Sequence, residues 1–351
     1  LGTYRGFSAG KNKDSALYYH KYFSAYFEVR DLERNFAILQ NKSMLKNTLK
    51  SLLSNPLILR FGCGLRYIFC YHDISKTYAP HFSTTYSTTP EQFKVQIEYL
   101  SAIFQLVSLD RLVQGNDLPK NRNYAAITFD DGFYSVLENA FPLLKQKQIP
   151  FTIFLNAQAI QENWLWTTDL EMGKKDTTYM HKLYQYFYPT QEVSFEYFCE
   201  NYFQLLLNKI NFNTHLDIFK GENRENIFLN KDNIKFLHKE GVHFGSHTCS
   251  HPVLSKCNAS TFQTQIENNN QYLESILSEK INHFAIPFGK NTHYNPEVLN
   301  TIAQFHPYIY STNPNRIRQE TQLFPRIPLT NESVKEIQFY LNRSFIFKYQ
   351  L

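Results

Sequence analysis

Thr128-Phe129-Asp130-Asp131-Gly132-Phe133 is the stretch on which the reading of this chain turns. The residues before it, Tyr124-Ala125-Ala126-Ile127, are apolar and β-prone, the pattern of a buried strand. Two adjacent carboxylates then stand where that strand should end. Gly132 follows, free to take backbone angles closed to other residues. On its own, Asp-Gly is a solvated turn. A buried strand, however, has no structural use for two acids at its tip.

A second stretch, Gly245-Ser246-His247-Thr248-Cys249-Ser250-His251-Pro252, changes the weight of the first. His247 and His251 are four residues apart, so one helical turn or a tight loop points both rings the same way. Imidazoles on one face suit zinc and its transition-metal neighbours. A carboxylate from elsewhere completes a His-His-carboxylate set with positions open to water and substrate. One aspartate at the strand tip supplies it and the other is left free as a base. A lone His-x-x-x-His is common by chance. An Asp-Asp strand end followed by such a pair after another apolar strand is far more specific.

These two stretches resemble the first two motifs of the NodB-homology polysaccharide deacetylases, carbohydrate esterase family four, which read Thr-Phe-Asp-Asp-Gly and His-Ser/Thr-x-x-His. The resemblance implies that Asp130 is the general base and that Asp131, His247 and His251 hold a divalent metal, zinc first, with cobalt or nickel as alternatives. Tyr71-His72-Asp73-Ile74 follows the apolar run from Arg66 and resembles the first strand of the poly-N-acetylglucosamine deacetylase branch, where the motif order is permuted. That resemblance makes His72 the general acid. Phe284-Ala285-Ile286-Pro287-Phe288-Gly289 is similar to the third motif, with Ala285 where the family carries an arginine. Arg326, in Phe324-Pro325-Arg326-Ile327-Pro328-Leu329, is the residue expected to reach the same place from another strand. Phe288, beside Pro287, is expected to line the pocket and offer its backbone N–H to an oxyanion.

The expected fold is α/β, a distorted (β/α)7-type barrel over residues 65–345. Strands alternate with helices before and after a break, which argues for parallel strands wrapped by helices. The break, at about 156–231, reads as a helical insertion rich in Tyr and Phe. Trp164 and Trp166 open it, either packing the insertion onto the barrel or stacking on sugar rings. Residues 1–64 read as an N-terminal helical extension without chemistry. Helix starts are marked at Thr89-Pro90-Glu91-Gln92 and Ser333-x-x-Glu336. A helix is expected from Ser135 to Gln148 and a short strand around Leu106–Leu109. His243 is expected to be a core group or a support for the ligands.

Of the 351 residues, 19% are charged and 16% aromatic, which favours a packed globular chain over disorder. The net charge of +5 comes without a dense Lys/Arg run, so nucleic acid is not an expected partner. A mildly basic surface suits an anionic glycan or a membrane face. No run is long and apolar enough for a transmembrane helix. Five cysteines at irregular spacing imply no disulfide framework and lean towards a reducing, cytoplasmic setting. The resemblance points instead to a bacterial cell envelope or periplasm. No leader is visible, and the initial Leu1 leaves a removed one open. The expected substrate is an N-acetylated glycan or polysaccharide, and the expected reaction is removal of N-acetyl groups from amino sugars. O-deacetylation, deformylation of a lipid-linked sugar, or glycan binding without turnover are the alternatives.

Overall fold

Alternation along the strands decides what faces the barrel interior. In the computed structural model, which describes residues 64–209, 226–317 and 323–346, β1 (Arg66–Tyr71) pairs in parallel with β2 (Tyr124–Phe129). Tyr67, Phe69 and Tyr71, with Ala125, Ile127 and Phe129, join the apolar layer shared with the surrounding helices. Ile68 and Ala126 belong to a different cluster, which also gathers Phe154, Ala285, Tyr310 and Phe324 from other strands. Side chains two residues apart share a face. Cys70 and His72 therefore follow Ile68, and Thr128 and Asp130 follow Ala126, towards the inside at the strand ends.

The sheet continues in parallel through β3 (Phe151–Leu155), β4 (His243–Ser246), β5 (His283–Ala285) and β6 (Tyr308–Ser311). One extended segment then joins its two ends. Its first half, β7 (Leu323–Pro325), pairs with β6, and its second half, β8 (Ile327–Pro328), pairs with β1. Arg326 is the residue between the halves, and its N–H donates to Ser311 O at 3.0 Å. Sequence alternation anticipates the α/β barrel, and this single segment closes it. Close packing inside leaves no room at Gly245: a Cβ there would lie 2.5 Å from the Phe154 ring.

Helices cover the outside. Thr89 caps Pro90–Ile103 through Gln92 N–H, while the Gln92 side chain donates to Glu332 O. Ser333 and Glu336 exchange both bonds of a capping box ahead of Val334–Ile346. The helix expected over 135–148 begins as a wide π turn, Val136–Ala140, before Phe141–Gln146. Pro142 lacks the N–H that a regular turn needs there. The strand expected at 106–109 is limited to Gln105–Leu106, because Ser108 already caps the helix Leu109–Gln114.

Among the described residues, five helices lie between β3 and β4: Ala157–Glu162, Trp166–Gly173, Thr177–Phe187, Phe195–Lys209 and, back against the barrel, Lys231–Lys239. Trp164 and Trp166 are buried in an apolar cluster with Leu170, Met180 and Phe198, with Phe288 at its margin. Their burial leaves no open ring face for a sugar, and Trp166 Nε1 also donates to His251 O at 3.1 Å. The chain returns to the barrel through Tyr134 N–H to Ile227 O and Leu229 N–H to Gly132 O, each 2.8 Å. The extension expected over residues 1–64 lies outside the described residues except for Gly64. Among the described residues, no helix is long and apolar enough to cross a membrane.

His306 shows how burial is compensated away from any chemistry. It is fully buried, with Ile281 O 3.1 Å from Nδ1 and Asn270 Nδ2 3.1 Å from Nε2. Burial pushes its pKa down to about 3. The depressed value means its contribution is complete above the unfolded pKa of about 6.5 and is lost progressively as pH falls towards 3. In urea unfolding between pH 6.5 and 4, the wild type should lose stability more steeply than His306→Asn, by up to about 1.4 kcal/mol per pH unit.

Candidate active site

Asp130 ends the interior face of β2 and is 1% exposed. Its N–H donates to Tyr71 O at 2.9 Å, locking the tips of β1 and β2 together. Its two carboxylate oxygens accept a bidentate pair from Arg326: Nη1 to Oδ1 at 2.7 Å and Nη2 to Oδ2 at 2.8 Å. The guanidinium is fully buried, with its carbon 5.1 Å from the centre of the Phe154 ring. Burial opposes the Asp130 charge, but the Arg326 charge and hydrogen bonds outweigh it, so the carboxyl is held well below the usual range. Arg326 thus contacts the acid from the closing segment, two strands away from the Ala285 position across β6.

Asp131 takes a different course because its φ is +67°. That left-handed turn swings its carboxylate off the strand alternation and onto the histidine loop. Asp131 Oδ1 lies 3.6 Å from His247 Nε2 and 3.6 Å from His251 Nε2. This oxygen is buried and has no hydrogen-bond partner in the protein. Burial and the Asp130 charge push the Asp131 carboxyl well up. A positive charge between the three groups would reverse both effects.

The histidines sit on a tight loop that leaves β4, not on a helix. Thr248 and His251 both have positive φ, at 67° and 56°. His247 Nδ1 lies 2.8 Å from Ala285 O, so the ring turns Nε2 towards the aspartates. Burial lowers the His247 pKa to about 4 and pushes that of His251 well below the ordinary imidazole value. Both imidazoles are therefore neutral, the form that ligates a metal. Asn156 Nδ2 donates to the carbonyls of His247 and Thr248, and Asn269 Nδ2 to Leu155 O and Ser246 Oγ. Gln265 accepts from Ser250 N–H at 2.9 Å.

His72 is partly exposed, with Nε2 3.9 Å from Asp130 Oδ2. Burial lowers its pKa despite the neighbouring Asp130 charge. Phe288, at φ +60°, packs edge-on to His251 with ring centres 4.6 Å apart. Pro287 is buried and its carbonyl accepts from Gly289 N–H at 2.7 Å, shaping that turn. The structure therefore gathers Asp130, Asp131, His72, His247, His251 and Arg326 at the C-terminal mouth of the strands, with Phe288 as a wall.

His243 is a correction. It stands exposed at the opposite end of β4, 3.9 Å from Asp110 Oδ2, and is neither core nor support for the ligands. Alternation correctly gives its face, but the strand starts at His243 and so places it at the far mouth. Cys70 joins the site without an expected role. Its buried thiol donates to Asp130 Oδ2 at 3.3 Å. The same alternation that carries His72 inward carries Cys70, two residues earlier. Asn156, Asn269 and Gln265 left no sequence signal, since their roles depend on where helices pack.

A parallel barrel with paired acids and two imidazoles at one mouth brings together the groups of a hydrolytic site. The chain belongs to the polysaccharide deacetylase family, whose family model matches residues 117–309. His72 and Arg326 lie outside that match, on the first and last strands. Solved structures share the fold at low identity. The deacetylase PplD of Streptococcus pyogenes, solved with acetate, is 16% identical at a TM-score of 0.52, covering 78% of this chain and 96% of that one. IcaB from Ammonifex degensii is 18% identical at 0.52, covering 80% and 97%. A de-N-acetylase from Aggregatibacter actinomycetemcomitans is 12% identical at 0.53, covering 78% and 99%. No curated protein matches the sequence.

The buried ion pair sets a stability expectation. Arg326→Ala strands the Asp130 charge inside the barrel and should cost about 3–5 kcal/mol in denaturant unfolding. Adding Asp130→Ala should return part of that loss, a coupling that a double-mutant cycle reads directly.

Proposed function

We propose that the chain hydrolyses N-acetyl groups from amino sugars of a glycan, using a divalent metal held by Asp131, His247 and His251. The observation that carries this reading is the buried, unpartnered Asp131 Oδ1 between two neutral imidazoles. Two nitrogens and one oxygen are a zinc-type set with positions left for water and substrate, which cobalt or nickel also fit. When bound, the ion would supply a water acidic enough to ionise near neutral pH and would polarise the acetyl carbonyl.

The protein's own groups divide the remaining work. Asp130 is the base. Arg326 keeps it ionised and fixes its plane, so Oδ2 faces the site beside His72 and His247, each 3.9 Å away. His72 is the acid that protonates the leaving amine, without which the C–N bond breaks poorly. Its nearness to Asp130 Oδ2 offers a short path for the proton taken from water to reach the amine. Phe288 walls the acyl side, and its backbone N–H is the oxyanion donor in this reading.

Two variants test the division of labour by metal analysis and acetate release from N-acetylated oligosaccharides. Asp130→Asn should keep the metal and lose about 10²–10⁴-fold in kcat. His247→Ala should lose metal and turnover together. Formate release from an N-formylated sugar, or acetate release only from O-acetylated glycans, would replace the N-acetyl assignment. Glycan binding without release of either acid on metal addition would remove the catalytic one.

A further inference from the structure

A second set of metal-ligating atoms adjoins the first. Cys70 Sγ lies 3.3 Å from Asp130 Oδ2, and His72 Nε2 lies 3.9 Å from that oxygen. All three side chains present one donor atom within 4.8 Å of the others. Zinc bonds of about 2.3 Å to sulfur and about 2.0–2.2 Å to nitrogen or oxygen set tetrahedral ligand atoms roughly 3.4–3.6 Å apart. The two separations from Asp130 Oδ2 lie within half an ångström of that range. Thiolate, imidazole and carboxylate are also the donors that zinc prefers.

We infer that Cys70, His72 and Asp130 form a weaker, inhibitory site for a second thiophilic cation such as zinc. Weakness follows from the neighbourhood. Arg326 already holds both Asp130 oxygens, and a cation here would face its guanidinium. It would also face any ion held by Asp131 and its histidines. The site therefore fills only when metal exceeds the first equivalent. On binding, the Cys70 thiol releases its proton to solvent and its sulfur bonds the metal, so charge and atoms balance. Inhibition follows because the second ion takes Asp130 Oδ2 and the His72 nitrogen, the two groups that move protons. The inhibitory consequence rests on the deacetylase reading, while the binding does not.

Cobalt titration separates the two. Protein carrying one equivalent of Co²⁺ should show no thiolate-to-cobalt charge-transfer band, and further Co²⁺ should raise one. Cys70→Ala and Cys70→Ser, checked for folding by circular dichroism, should not raise it. In acetate release, excess zinc should inhibit the wild type, and both variants should need at least tenfold more zinc for half-inhibition. The site is refuted if the wild type shows no thiolate band through several equivalents. It is equally refuted if the band persists in both variants, which assigns it to Cys249 or another thiol. Zinc inhibition of equal strength in wild type and variants refutes the inhibitory role. If no glycan yields acetate, the proposed reaction fails and the cobalt band still decides the binding.

Discussion

The bidentate contact between Arg326 and Asp130 joins two problems that a barrel of this kind must solve. The first is closure. The segment from Leu323 to Pro328 must leave β6 and reach β1, and Arg326 is the residue at the crossing. The second is holding a charged acid inside an apolar cylinder. A buried carboxylate without a partner costs several kcal/mol. A guanidinium in fork geometry satisfies both oxygens at once. Phe154 under the guanidinium, and Ser311 O at 3.4 Å from its Nε, complete its surroundings. The strand that closes the barrel is thus also the strand that orients the acid.

Two adjacent aspartates acquire opposite electrostatics from a single backbone angle. Asp130 stays on the strand alternation and meets Arg326. Asp131 turns left-handed, leaves that alternation and meets the imidazoles. Asp131, Thr248, His251 and Phe288 are all non-glycine residues with positive φ, and all border the site. Each such position carries about 1–3 kcal/mol of strain that surrounding packing must offset. The Asn156 and Gln265 bonds to the loop backbone, and the Asn269 bonds to Leu155 O and Ser246 Oγ at the strand ends beneath it, are where that offset is visible. Stability is given up to hold donor atoms facing one another before any ligand arrives.

Much of this was legible because the informative residues are neighbours in sequence. Asp130 and Asp131 are consecutive and follow a clean strand. His247 and His251 share one loop, and His72 ends a continuous apolar run that reads as a buried strand. Arg326 is legible only through the resemblance, because Ala285 stands where the family carries an arginine. That its segment pairs with two different strands could not be read, since pairing register is a long-range property that short strands do not encode locally. Periodicity likewise assigns a face but no end, which is why His243 was misplaced and why Cys70, on the same face as His72, went unremarked. The π turn before Phe141 had a local cause in Pro142, visible in the sequence but outweighed by the helical pattern around it.

In the proposed deacetylase one cation would join Asp131 to both imidazoles while Asp130 stays outside its coordination. X-ray absorption at the zinc edge, on protein loaded with a single equivalent, tests it most directly. Two imidazole nitrogens and oxygen ligands at about 2.0–2.2 Å, with no sulfur, are the expected result. A sulfur at about 2.3 Å in that first equivalent, or a shell of water oxygens without imidazole, would contradict it.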